Sequence, residues 1–327
     1  MSFGYILMAL FTNIFVISTQ CAAGPYIWNI DEGLPSSWNT KNAPYVLNFT
    51  NISPSKIVDA LKNKVVVMIG DSLTRYQYLN IVHYLHVGSW STSKPSYEYD
   101  REWPSWLDFM RGTNAGLSCM EICDCYRIEN NNQIIRENRH FFDEGNNISI
   151  RYFSWFPPGI RQLITNVPSN TDISNRCLNY KISDILVNDF NPDNPHKSFN
   201  HIFDFLNEVL VPWQPDIVLI NCGFWPCHEL KHGHELKKFI QILLSSGKNI
   251  IWKSTTPRWG GPLVRHEEIE MHPILEKNGI HVFNTYDILK SIVLYNSSYM
   301  DDVHFAPFVY RELNKGLIDL ILSINQE

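Results

Sequence analysis

Val65-Val-Val-Met-Ile-Gly-Asp-Ser-Leu-Thr-Arg-Tyr-Gln77 is the stretch on which the fold turns. Val65 to Ile69 is an unbroken apolar run rich in β-branched residues, the pattern of a strand buried on both faces. Gly70-Asp71-Ser72 interrupts it, and Tyr76 to Val87 then carries apolar residues at helical spacing. A strand, a tight turn and a helix in that order open an α/β unit. Ligands in such folds gather beyond the carboxyl ends of the strands, which is where Ser72 stands. At the start of a helix its backbone N–H and the helix dipole favour negative charge. An Asp/Ser helix cap after a strand has the same appearance, so the tripeptide alone does not decide function.

Outward from this stretch, four more runs have strand character: Ile148 to Trp155, Asp216 to Ile220, Asn249 to Thr255 and His281 to Thr285. Helical periodicity covers His201 to Val211, Glu235 to Leu244 and Phe308 to Ile324. Strands alternating with helices predict a parallel sheet covered on both faces. The expected fold class is therefore α/β: a three-layer α/β/α sandwich, flavodoxin-like, around a five-stranded parallel sheet. The domain is expected over 61–327, after an irregular arm at 24–60. Residues 88–147, with three Cys, read as an insertion of loops and short helices near one end of the sheet.

A hydrophobic share of 44% supports a full core, and a net charge of -6 without a long basic run argues against nucleic acid as a partner. Tyr5 to Ser18 is apolar and uncharged, and Cys21-Ala22-Ala23 offers small residues for cleavage. Residues 1–23 thus read as a signal peptide, although Lys and Arg are missing from its start. The other reading is an uncleaved anchor, for which the stretch is short; only then would the chain contact a membrane. The expected location is the secretory pathway, extracellular or in the Golgi or ER lumen. Loss of Cys21 would leave six of the seven Cys, an even count that suits disulfides in an exported chain. Sequons at Asn48, Asn51, Asn147 and Asn296 add little in a chain this rich in Asn. Most aromatics serve packing, but Trp90, Trp103, Trp106, Trp225 and Trp259 fall in predicted loops and are candidates for stacking on sugars.

Asp301-Asp302-Val303-His304 lies after the fifth strand run. A serine nucleophile needs a base, and the base needs an orienting carboxylate. One turn brings Asp301 and His304, three apart, to the same side, so Asp301 can hold one ring nitrogen while the other faces Ser72. The plainer reading is a loop with a capping Asp before the helix near Phe308. Pairing with a Ser at the end of the first strand favours the triad.

Gly70-Asp71-Ser72 with a late Asp-x-x-His resembles the SGNH (GDSL-type) hydrolases. Gly70-Asp-Ser-Leu-Thr-Arg-Tyr-Gln77 is similar to the PC-esterase branch, which includes the trichome-birefringence-like polysaccharide O-acetyltransferases. Arg75 matches an Arg of that branch, Asn221-Cys-Gly223-Phe-Trp225 its Asn-x-Gly-x-Trp, and Ser254-Thr-Thr-Pro257 its Thr/Ser-Pro segment. The resemblance runs from about residue 61 to the end. The N-terminal Cys-rich module of the plant proteins, the usual Gly-x-Asn-Asp block and the residues beyond the catalytic His do not match. The resemblance implies Ser72, His304 and Asp301 as catalytic residues. It implies an oxyanion and substrate-binding set drawn from Gly70, Asp71, Arg75, Asn221, Gly223, Trp225 and Trp259. It further implies O-acyl, expected to be O-acetyl, transfer or hydrolysis on carbohydrate or glycoconjugate, with an acyl donor if a transferase and with no cofactor or metal.

Two rivals remain. His228-Glu229-Leu-Lys-His232 fits the zincin pattern, but Pro226 and Gly233 bracket it and position 238 is Lys. The second rival is a secreted, non-catalytic glycan-binding protein of the same fold, whose mark would be Ser72 and His304 too far apart to touch.

Overall fold

Val65–Gly70 forms strand β1, preceded by helix α1 (Pro54–Leu61) and followed at once by α2 (Ser72–Val87). The structure is a computed structural model that describes residues 52–90, 106–115, 117, 120–127, 135–155, 201–223, 233–259, 266–289 and 298–326. The expected signal segment 1–23, residues 24–51 of the arm, Trp103, Trp225, His228, Glu229, His232, Cys119, Cys177, Cys227 and the sequons other than Asn147 lie outside these residues; the end of the arm, expected to be irregular, forms α1. The described elements continue with α3 (Trp106–Ala115), β2 (Glu121–Arg127), β3 (Ile135–Asp143) and β4 (Ile148–Ser154). Helix α4 (Ile202–Phe205) runs on through a π-helical turn at Leu206–Leu210 and a last turn at Val211–Trp213. Then come β5 (Ile217–Ile220), α5 (Gly233–Leu244), β6 (Asn249–Lys253), α6 (His266–Lys277), β7 (His281–Phe283), α7 (Thr285–Leu289) and α8 (Pro307–Ile324).

The strands form one seven-stranded sheet in the order β2-β3-β4-β1-β5-β6-β7. β1 pairs in parallel with β4 and β5, β5 with β6, and β6 with β7. β3 is antiparallel to both β4 and β2. The sheet is therefore mixed, which corrects the expected all-parallel sheet of five strands. The same strands correct the expectation for 88–147: the insertion supplies β2 and β3 as well as α3. β3 escapes a sequence reading because two of its buried alternate positions are charged. Glu137, Arg139 and Phe141 are all fully buried, and only the last is apolar.

Alternation along the central strands builds two cores. Val66 and Met68 of β1, with Ile217 and Leu219 of β5, pack on one face against α1, α2 and α8. Val67 and Ile69, with Val218 and Ile220, pack on the other against α4, α5 and α6. Each such Val, Leu or Ile contributes about 1.5–3 kcal/mol on burial, and two faces covered by helices make three layers.

Helix α2 is enclosed on all sides, every residue from Leu73 to Tyr84 being buried. Its polar residues must therefore find partners inside the protein. Arg75 Nη1 meets Glu137 Oε2 at 3.0 Å, and Arg139 bridges Glu137 (2.6 Å) and Glu121 (2.9 Å). The Tyr78 hydroxyl donates to Glu121 at 2.9 Å, and Asn114 of α3 donates to the same carboxylate at 3.1 Å. Two Arg against two Glu leave no net charge. On the opposite side of the helix, Asn314 of α8 donates to Gln77 C=O and Asn80 Oδ1, and Asn80 donates to Pro307 C=O.

Removing one partner from a buried ion network leaves an uncompensated charge, at a cost of about 3–5 kcal/mol. Glu137→Gln is expected to lose that much in urea unfolding. Lys248→Ala, which breaks an ion pair whose Lys is 66% exposed, is expected to stay within about 1 kcal/mol of wild type. Equal small losses from both would show that the quartet is dispensable.

Candidate active site

The turn between β1 and α2 is defined by its own hydrogen bonds. Asp71 is the N-cap of α2, its carboxylate accepting from Leu73 N–H at 3.0 Å. The Tyr152 hydroxyl lies 3.1 Å from Gly70 C=O and 3.0 Å from Asp71 C=O. The N–H of Trp155 donates to Gly70 C=O at 2.7 Å. Gly70 is required because a Cβ there would overlap the Thr74 side chain. Ser72 is thereby held at the first position of the helix, at the carboxyl end of the central strand.

His304 reaches Ser72 from a tight loop before α8. Tyr299 and Phe305 form an isolated antiparallel bridge, Met300 N–H donates to His304 C=O at 2.8 Å, and Ala306 N–H to Ser298 C=O at 2.8 Å. At the tip, Asp301 Oδ1 accepts from the N–H groups of Val303 and His304, both at 2.7 Å. Its other oxygen lies 2.6 Å from His304 Nδ1, and His304 Nε2 lies 2.7 Å from Ser72 Oγ. Burial pushes the Asp301 carboxyl up, but its hydrogen bonds and the imidazole outweigh that and hold it below the usual carboxylate value. With Asp301 ionised, Nδ1 carries the ring proton and Nε2 is left to accept from the Ser72 hydroxyl. The buried Tyr76 ring packs edge-on to His304 at 4.9 Å and fixes the imidazole plane.

The other expected residues separate into two groups. Gly223 faces the site: its φ is +63°, and a Cβ there would overlap the Asp71 carboxylate. Its carbonyl accepts from Thr255 Oγ1 at 3.0 Å. Trp259 is 44% exposed, and its N–H donates to Asp302 C=O at 3.0 Å, so the loop after β6 is tied to the loop that carries His304. Arg75 is turned inward, 2% exposed and paired with Glu137, which removes it from the expected substrate-binding set. Asn221 is fully buried, and its amide nitrogen donates to Lys253 C=O at 2.7 Å, joining β5 to β6. Trp90 stacks on Tyr84 at 4.2 Å between centroids, a packing contact.

Sequence reasoning missed Tyr76, Tyr152 and Lys253. Each lies on a recognised helix or strand, where an aromatic or a terminal Lys has nothing unusual about it. Cys123 on β2 and Cys222 after β5 are both disulfide-bonded. Among the described residues no group of three or more His, Cys, Asp or Glu is placed to hold a metal, and no helix is long and apolar enough to cross a membrane.

The left-handed backbone of Gly223 costs an L-residue about 1–2 kcal/mol, before any clash is counted. Gly223→Ala is expected to lower the thermal midpoint and to displace Asp71, slowing any chemistry at Ser72. A variant as stable and as reactive as wild type would remove this turn from the site.

No protein-family model and no curated protein matches the chain.

Proposed function

We propose that the chain is a serine-dependent O-acyl transferase or esterase acting on carbohydrate or glycoconjugate, with acetyl as the expected acyl group. The observation that carries this reading is the hydrogen-bonded series Ser72–His304–Asp301, closed between residues 232 apart in sequence. A structural cap on α2 has no need of an imidazole, and a glycan-binding protein without catalysis has no need of its carboxylate. The motifs and their order support assignment to the SGNH hydrolases, in the PC-esterase branch. Under that assignment β4, β1, β5, β6 and β7 correspond to the parallel sheet of the family, with β2 and β3 added at one edge.

In the proposed reaction Ser72 Oγ attacks the acyl carbonyl carbon as its proton passes to His304 Nε2. The oxyanion forms beside the N-terminus of α2, where the Ser72 N–H and the Gly223 turn can stabilise it. Collapse expels the donor's oxygen with the proton from His304 and leaves an acyl-serine. His304 then deprotonates the acceptor hydroxyl, which attacks the ester and frees Ser72. Water as acceptor gives an esterase, and a sugar hydroxyl gives a transferase. The disulfides at Cys123 and Cys222 are those of an oxidising compartment, which favours the secretory pathway.

A fluorophosphonate probe is expected to label the wild type and to leave Ser72→Ala unlabelled. Asp301→Asn should slow hydrolysis of a small acetyl ester by about 10⁴-fold, because an amide favours the wrong tautomer of His304. Asp302→Asn should change it only a few-fold. Labelling that survives in Ser72→Ala would sink the assignment, and the reverse ranking of the two Asp variants would transfer the orienting role.

Trp259 supplies an exposed ring at the same end of the sheet, suited to holding a sugar acceptor. Trp259→Ala is therefore expected to depress acetyl transfer to a glycan while hydrolysis of the small ester is nearly unchanged. Equal loss of both would assign the ring to support of the fold.

A further inference from the structure

Lys253, the last residue of β6, is 1% exposed. Its Nζ donates to Thr74 Oγ1 at 3.3 Å, a long bond to a buried side chain in the first turn of α2. Buried ammonium groups need compensating negative charge, and two carboxylates act on this one: Asp71, from the turn that carries Ser72, and Glu268, from α6. Glu268 is engaged elsewhere, accepting from Thr255 N–H at 2.8 Å and Trp252 Nε1 at 3.3 Å. Asp71 is itself 1% exposed and packs against Gly223. A carboxylate is thus buried directly beside the place where the oxyanion of acyl transfer would form. Alone it would repel that developing charge, strongly so out of contact with water.

We propose that Lys253 is a positioning residue of the Ser72 site, its buried ammonium offsetting the Asp71 carboxylate so that the oxyanion does not form beside an uncompensated negative charge. The proposal rests on the acyl-transfer reading above. It explains why a cation is buried at the carboxyl end of β6 with, among the described residues, a single hydroxyl as its hydrogen-bond partner. Lys253 also bonds through its carbonyl to Asn221, so the same residue holds the start of the Gly223 turn. Burial pulls the ammonium down to about 8, with Asp71 and Glu268 pushing back. The charge is present at neutral pH and is lost as pH rises through that value.

The test is the rate of fluorophosphonate reaction in the full chain. Ser72 Oγ forms a bond to phosphorus, the P–F bond breaks, fluoride leaves, and the hydroxyl proton passes to His304. Negative charge develops on the phosphoryl oxygen where the oxyanion of an ester would stand. Lys253→Met is expected to lower the saturating rate by roughly tenfold or more, with little change in half-saturating probe concentration. Wild type should lose rate as pH rises through about 8, and Lys253→Met should lack that limb. The double variant Lys253→Met/Asp71→Asn, which removes the uncompensated charge but keeps a capping side chain, should recover most of the rate. A Lys253→Met protein that reacts like wild type would overturn the proposal and leave the acyl-transfer reading intact. So would a slow Lys253→Met with no recovery in the double variant, which would mark a merely structural role. If Lys253→Met fails to fold, the wild-type profile decides, and a flat profile across pH 8 counts against the proposal. A wild type that never labels would instead overturn the acyl-transfer reading, and this inference with it.

Discussion

Burial of α2 from Leu73 to Tyr84 is the constraint on which the rest of the structure depends. A helix enclosed on every side over that length can carry Arg75 and Asn80 only if each meets a partner within the protein. Desolvating an ion costs several kcal/mol even after relaxation. Attraction between Arg75, Glu137, Arg139 and Glu121 offsets that cost, and the hydroxyl of Tyr78 and the amide of Asn114 occupy further acceptor positions. The quartet is therefore a specification as much as a source of stability. It dictates that β3 lies beside β4 in one register, with Glu137 and Arg139 facing α2. Sliding that strand by one residue would put both charges on the wrong face.

The same burial explains how two ends of the chain reach one site. Asn80 and Asn314 fasten α2 to α8 through the first carbonyl of α8, that of Pro307. The loop that ends at Ala306 is short and is closed by its own backbone bonds. Once α8 is docked, His304 has almost no freedom left except over Ser72. Placement by helix packing suits a catalytic geometry better than placement by a free loop, because an error of 1 Å in the position of a base is costly.

Electrostatics in the β1–α2 turn work at close quarters. Asp71 orders the turn through Leu73 N–H and shapes the seat that only a glycine at 223 can occupy. Its charge is an advantage for capping a helix and a liability next to an oxyanion. Lys253, reaching in from β6, is the nearby cation that can reconcile the two requirements. Asp301, by contrast, is 48% exposed and is kept ionised by hydrogen bonds to its own loop.

The strands β1, β4, β5, β6 and β7 were legible in the sequence because each is a short run of apolar, β-branched or aromatic residues, and periodicity alone registers that. Ser72, Asp301 and His304 were legible for another reason: their spacing is local, a Ser directly after a strand and an Asp one turn before a His. The antiparallel strands β2 and β3 were not legible. Their inward positions hold Glu121, Glu137 and Arg139, which become tolerable only when α2 and α3 bring the opposite charges and donors. Nor did Arg75 reveal its direction, since an Arg on the first turn of a helix points to a substrate or into the core depending on what packs above it. The same holds for Lys253. Its residue type is ordinary for the end of a strand, and only the depth of the sheet end and the approach of Asp71 and Thr74 make it a buried cation. Local order along the chain determined the parallel strands β1, β4, β5, β6 and β7 and marked Ser72, Asp301 and His304 as candidates. Tertiary packing alone decided which charges face one another, because the energy of a charge depends on everything that surrounds it and not on its neighbours in sequence.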